Sequence, residues 1–183
     1  MHALISITHA FEFAAVKHTD QRRKGARGEP YLNHLAEVAR LLVDATGGAD
    51  AALIAAGLLH DTIEDTDTSY AELVAAFGTD VADLVEEVTD DKNLPKQERK
   101  RLQVEKASGK SPRARMIKIA DKISNLLALQ RTPPADWSET RKREYFEWAA
   151  AVVAGCRGLN PALDQAFDRA YAEGLAVLNA GAA

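Results

Sequence analysis

The stretch Ala51-Ala52-Leu53-Ile54-Ala55-Ala56-Gly57-Leu58-Leu59-His60-Asp61-Thr62-Ile63-Glu64-Asp65 decides how the chain is read. Its first nine residues carry no polar side chain, the pattern of a helix buried on all sides. The spacing predicts one helix from about Asp50 to Ile63. A buried imidazole beside a buried carboxylate is costly unless something compensates both. A metal ion does so by taking a neutral His nitrogen and an Asp oxygen as ligands. Residues four apart share a helix face, which sets His60 over Glu64 and Asp61 over Asp65. A His-Asp pair alone is weak, because a satisfied core histidine at a frayed helix end looks the same.

Two distant segments shift the balance. In Tyr31-Leu32-Asn33-His34-Leu35-Ala36-Glu37-Val38-Ala39-Arg40-Leu41-Leu42, His34 falls on the apolar face of Val38, Leu41 and Leu42. In Met116-Ile117-Lys118-Ile119-Ala120-Asp121-Lys122-Ile123-Ser124-Asn125, Asp121 interrupts an apolar helix and Asn125 follows one turn on. Two histidines and two aspartates thus come from three helices. We read His34, His60, Asp61 and Asp121 as ligands of one divalent ion. Nitrogen and oxygen donors suit manganese, iron or zinc. A nearby carboxylate can accept the proton of an attacking water, and helical spacing offers Glu64 and Asp65 for this.

The ordered set His34, His60-Asp61, Asp121 resembles that of the HD-domain metal-dependent phosphohydrolases. Gln21-Arg22-Arg23-Lys24, Pro30-Tyr31-Leu32-Asn33-His34, His60-Asp61-Thr62-Ile63-Glu64-Asp65-Thr66, Phe77-Gly78, Glu86-Glu87-Val88-Thr89-Asp90-Asp91-Lys92, Lys118-Ile119-Ala120-Asp121-Lys122 and the late Glu144-Tyr145-Phe146-Glu147-Trp148-Ala149 are similar to the hydrolase domain of RelA/SpoT homologues. The stand-alone small alarmone hydrolases, a group that includes the metazoan SpoT homologue, match best. The resemblance implies an all-α, compact HD-domain fold and a Mn2+ cofactor, one ion per chain. It implies a (p)ppGpp 3′-pyrophosphohydrolase that releases pyrophosphate and leaves GDP or GTP. It assigns Glu64 and Asp65 to generating the nucleophile. It also gives Arg23 and Lys24 as the nucleotide-contacting pair, with Lys96, Arg141 and Tyr145 near the nucleotide. Asn125, on the Asp121 face, can hydrogen-bond ribose or base. NADPH 2′-phosphate hydrolysis, or another nucleotide phosphatase activity at the same centre, is the alternative. A non-catalytic alarmone-binding module would not need the Glu64-Asp65 pair. Two positions depart from the family pattern. Leu35 follows His34 where proline is common, and Ser124 stands where a Tyr or His is usual beside the nucleotide.

At 183 residues the chain reads as a single domain, 1–183. No apolar run reaches the roughly 20 residues that span a bilayer, and Met1-His2-Ala3-Leu4 lacks the form of a signal peptide. One cysteine, Cys156, excludes an internal disulfide and a thiolate cluster. These features suit the cytoplasm and no membrane. A net charge of −4 argues against a nucleic-acid partner. Local basic groups, Arg22-Arg23-Lys24 with Arg27 and Lys96 with Arg99-Lys100-Arg101, suit a small anionic nucleotide. Assembly into a homo-oligomer is left open.

Every segment outside the loops reads as helix, with abundant Ala, Leu, Glu and Lys. Leu4, Ile7, Phe11, Ala14 and His18 keep helical spacing, and Thr19 to Pro30 is a basic loop. The helix carrying His34 runs from about Tyr31 to Asp44 and ends at Gly47-Gly48. Ser69-Tyr70-Ala71-Glu72 is a capping-box pattern. Pro95, Ser111-Pro112, Ser138 and Asn160-Pro161 open further helices. His2, His9 and His18 fall outside the ligand pattern and read as surface or first-helix residues.

Overall fold

The computed structural model describes residues 3–180, in which ten α-helices form and no strand does. His2 lies outside the described residues. The helices are α1 (Ala3–Lys17), α2 (Leu32–Thr46), α3 (Ala51–Leu59), α4 (Thr62–Asp65), α5 (Tyr70–Phe77), α6 (Thr79–Val88), α7 (Lys96–Lys106), α8 (Pro112–Arg131), α9 (Glu139–Ala154) and α10 (Pro161–Ala180). The helix starts follow local chemistry. Ser69, Ser111 and Ser138 each accept a hydrogen bond from the backbone N–H three residues on. Asn160 does the same for Ala162 and Leu163. Such caps satisfy amides that have no partner inside the helix. Pro95 stands just before α7 as its cap residue rather than inside it.

Helix α3 is the axis of the fold. Leu53 to Leu59 are all buried, and α3 packs on α1, α2, α6 and α8. A Cβ on Gly57 would stand 2.5 Å from Leu42 Cδ1, so α2 and α3 cross where only glycine fits. That crossing brings the start of α2 beside the end of α3. Helix α8 runs past both and also packs on α6, α9 and α10. One core includes buried apolar side chains from α1, α2, α3, α5, α6, α8, α9 and α10. Helix α7 contributes no buried residue and leans on α9.

One expectation about the central helix needs correction. The predicted helix from Asp50 to Ile63 is broken: α3 stops at Leu59, and α4 restarts at Thr62. Side chains fill the gap in backbone pairing. His60 Nδ1 lies 2.9 Å from the Gly57 carbonyl, and Thr62 Oγ1 donates to the Leu59 carbonyl at 2.6 Å. Helix α1 forms as its spacing implied: Ala10 and Ala14 are buried, Ile7 and Phe13 pack against the core, and Leu4 and Phe11 are exposed. The loop from Thr19 to Pro30 is closed by a single antiparallel bridge between Arg22 and Pro30.

Candidate metal centre

His34 leaves the first turn of α2, His60 and Asp61 occupy the break between α3 and α4, and Asp121 lies mid-way along α8. His34, His60 and Asp121 are buried, and each offers one ligand atom within 4.8 Å of the others. His34 Nε2 is 3.4 Å from Asp121 Oδ1 and 3.6 Å from Asp61 Oδ2. His60 Nε2 is 3.1 Å from Asp61 Oδ2. These contacts are close, yet buried His60 Nε2 makes no hydrogen bond. Buried polar atoms rarely go unpaired. His34, His60 and Asp121 converge on one point, with Asp61 Oδ2 beside both imidazoles, and such a set fits a divalent cation, which would satisfy that nitrogen.

The charges of the centre lean on one another. Burial pushes the His60 imidazole down, but Asp61 and Asp121 more than offset this and raise it to about 9. Burial pushes Asp61 up, yet His60 and His34 hold it well below the usual carboxylate range. Asp121 is likewise held far down, chiefly by Lys122 and then His34, against the effect of burial.

The side chains of the centre are held from behind. Tyr31 donates to Asp61 Oδ2 at 2.6 Å. Asn125 Nδ2 donates to Asp121 Oδ1 at 2.6 Å, and Lys122 Nζ to Asp121 Oδ2 at 2.9 Å. Asn125 therefore supports a ligand and also accepts from Arg23 at 3.3 Å. Ser124 is fully buried and lies 2.8 Å from His34 Nδ1. Leu35 is a core residue and α2 forms without a proline there.

Glu64 and Asp65 lie just beyond the ligands on α4, in different surroundings. Glu64 accepts only long contacts, from the Asp90 amide and from Arg99, both 3.3 Å. Burial, then Asp61 and Asp90, push its carboxyl above the ordinary value. Asp65 has both oxygens engaged, one by Gln21 Nε2 at 2.8 Å and the other by Lys92. His18 stands behind Gln21, with Nδ1 2.5 Å from Gln21 Oε1 and its ring stacked on Tyr31. His18 is buried and lies past the end of α1. It is neither the surface nor the first-helix residue expected.

A basic wall with aromatic backing adjoins the site, where Arg99 reaches Glu64 and Arg23 reaches Asn125. Burial, then Arg141, Lys24 and Arg99, lower the Lys96 ammonium. These four cations are therefore close enough to repel. Arg141 lies 4.4 Å over Trp137 and 3.7 Å from Asp136. Tyr145 sits between Trp137 and Trp148, and burial pushes its hydroxyl up to about 12. Lys100 and Lys122 lie over Trp148 at 4.6 and 4.4 Å. Arg23, Lys24, Lys96, Arg141 and Tyr145 thus join one region. Sequence reading had missed Gln21, Tyr31, Arg99 and Lys122 as site residues. Gln21 and Tyr31 sit inside the quoted motifs, and Lys122 adjoins a ligand, which is the signal that was available.

The chain is similar to known proteins. Residues 10–149 match the family described as HD domain. The chain is 53% identical to guanosine-3′,5′-bis(diphosphate) 3′-pyrophosphohydrolase MESH1 of Homo sapiens, over 90% of this chain and 92% of the human protein. It is 52% identical to the same-named protein of Mus musculus, over 91% and 93%. A solved structure, described as a metazoan orthologue of SpoT that hydrolyses ppGpp, superposes with a TM-score of 0.88. It is 44% identical, covering 92% of this chain and 94% of that one. With this match and a buried His/Asp centre at the junction of α2, α3 and α8, the chain belongs to the HD domain family, among its RelA/SpoT-homologue hydrolases.

Proposed function

We propose that this chain is a metal-dependent (p)ppGpp 3′-pyrophosphohydrolase, a single unit over residues 1–183 acting in the cytoplasm. The observation that carries the reading is a buried His/Asp centre reached by cations, with Arg99 on Glu64, Arg23 on the Asn125 that holds Asp121, and Lys24, Arg99 and Arg141 grouped around Lys96. Such a grouping is costly without an anion, and a 3′-diphosphate supplies several negative charges. The relatives named for this reaction add their weight.

His34, His60, Asp61 and Asp121 would hold one Mn2+. A divalent ion bound there supplies positive charge to phosphoryl oxygens and makes a water molecule easier to deprotonate at neutral pH. Arg23, Lys24, Lys96 and Arg141 bind the phosphates, and a guanidinium can also lie flat on a base. Tyr145 and Asn125 close the nucleotide side. Glu64, with its raised carboxyl and loose contacts, takes the proton of the attacking water. Asp65 is bound on both oxygens by Gln21 and Lys92, so it orients the groups around the attacking water. Water adds to the phosphorus next to the ribose 3′ oxygen, the bond to that oxygen breaks, and the oxygen leaves with a proton. The products are GDP or GTP and intact pyrophosphate.

The test is side-by-side incubation of Mn2+-loaded protein with ppGpp, pppGpp and NADPH, with products separated. GDP or GTP plus pyrophosphate is expected. Release of two orthophosphates, or activity on NADPH and none on ppGpp, would overturn the reading.

A further inference from the structure

Behind His34 a chain of polar contacts runs from the centre to the surface. Ser124 Oγ donates to Glu37 Oε2 at 2.7 Å and lies 2.8 Å from His34 Nδ1. Arg131 donates to the other oxygen, Glu37 Oε1, at 3.1 Å. A serine hydroxyl has one proton. Glu37 is ion-paired with Arg131 and is an acceptor only, so the Ser124 proton goes to Glu37. The Ser124 oxygen is then left to accept from His34 Nδ1–H. That fixes the ring orientation of His34 and keeps Nε2, the atom that would bind the ion, beside Asp61 and Asp121.

The link spans the fold: Glu37 stands one turn beyond His34 on α2, whereas Ser124 and Arg131 come from α8. Glu37, Arg131 and His34 also line a cavity of about 210 Å³ with Arg23 and Asn33. Water therefore has a route to this edge of the centre, and an unrestrained imidazole could turn. His60 obtains the same restraint differently, from the Gly57 carbonyl of its own helix. His34 has no such carbonyl partner and depends on side chains.

We propose that Ser124, Glu37 and Arg131 form a positioning relay that presents His34 to the metal. The relay rests on the reading of His34 as a ligand. Partners behind a metal-bound imidazole typically change metal affinity by about 10–100-fold. Ser124 is thereby a positioning residue and not a base-side contact.

The test measures Mn2+ affinity by calorimetry and the visible absorption of the Co2+-loaded protein. Parent, Ser124→Ala, Ser124→Thr and Glu37→Gln are compared, with melting curves of each metal-free protein. Ser124→Ala should bind Mn2+ about 10–100-fold more weakly and shift the Co2+ bands. Ser124→Thr keeps the hydroxyl and should restore both. Glu37→Gln should weaken binding by a smaller factor with an unchanged melting temperature. Parent affinity and parent Co2+ bands in both Ser124→Ala and Glu37→Gln would overturn the relay while leaving the metal centre intact. If the parent itself binds no divalent ion, both readings fall. Should Ser124→Ala fold poorly, the Glu37 link of the relay still decides: a Glu37→Gln protein with parent Mn2+ affinity overturns the proposal.

Discussion

Lys122 Nζ lies 2.9 Å from Asp121 Oδ2, although the two side chains leave α8 from adjacent positions. Both are buried, and the ammonium also rests 4.4 Å over the Trp148 ring. Lys122 is held well above its ordinary value, because Asp121 outweighs the effect of burial. The pair places a fixed positive charge behind the carboxylate that faces the two histidines.

Replacing Lys122 by Met leaves Asp121 with one cation fewer. Breaking one partner out of a buried pair costs about 3–5 kcal/mol. The metal-free protein should lose stability of that order in chemical denaturation. Saturating Mn2+ should recover much of it, since the ion supplies charge at the same carboxylate. Equal loss with and without Mn2+ would separate Lys122 from the centre.

Glu64→Gln and Asp65→Asn should differ. The Glu64 carboxyl is raised and loosely bound, while Asp65 is engaged by Gln21 and Lys92. Loss of a general base typically lowers turnover by about 10²–10⁴-fold. Glu64→Gln should show a loss of that size with Mn2+ content unchanged. Asp65→Asn should be milder in turnover and lower in melting temperature. The reverse order of effects on kcat would exchange the two roles.

Removing both side chains of Arg23 and Lys24 should weaken ppGpp binding and spare the metal. Arg23 reaches Asn125, which in turn holds Asp121, so a small effect on the ion is expected through that contact. Charge-assisted hydrogen bonds contribute roughly 1.5–3 kcal/mol each. The dissociation constant of ppGpp in Arg23→Ala/Lys24→Ala should rise at least about tenfold. Metal content near zero with nucleotide affinity intact would place the pair on the wrong partner.

Much of this was legible in the sequence, for physical reasons. Capped helices announce themselves locally, so Ser69, Ser111, Ser138 and Asn160 opened helices as read. Asp121 and His34 stood out because polar groups on apolar faces are rare. The break at His60 was not legible. Its cost is met by the His60 ring and the Thr62 hydroxyl, which only the folded geometry brings onto free carbonyls. The relay behind His34 was hidden for a different reason: Ser124 and Glu37 are 87 positions apart. His18 looked peripheral because its partners, Gln21 and Tyr31, lie on a loop and at its end.

The basic wall makes nucleotide binding depend on pH in a defined sense. Burial lowers Lys96 and Lys100 below the ordinary 10.5, and neighbouring cations add to this. For a lysine whose folded value lies below its unfolded one, the charged form is disfavoured by folding. That cost is present in full below the folded value and disappears as pH rises past 10.5. Lys100→Met should therefore melt higher than the parent at neutral pH, with the gap closing above the ordinary lysine value. A bound polyanion favours the ammonium form and raises both lysines again. Nucleotide affinity should then fall as pH climbs from the lowered value toward 10.5, and binding in that window should take up protons. Calorimetry in two buffers of different ionisation enthalpy reads the uptake directly, using a Glu64→Gln protein to slow turnover. Zero proton uptake in that window, together with a Lys100→Met protein that melts below the parent, would mean that these cations are already neutralised without the nucleotide.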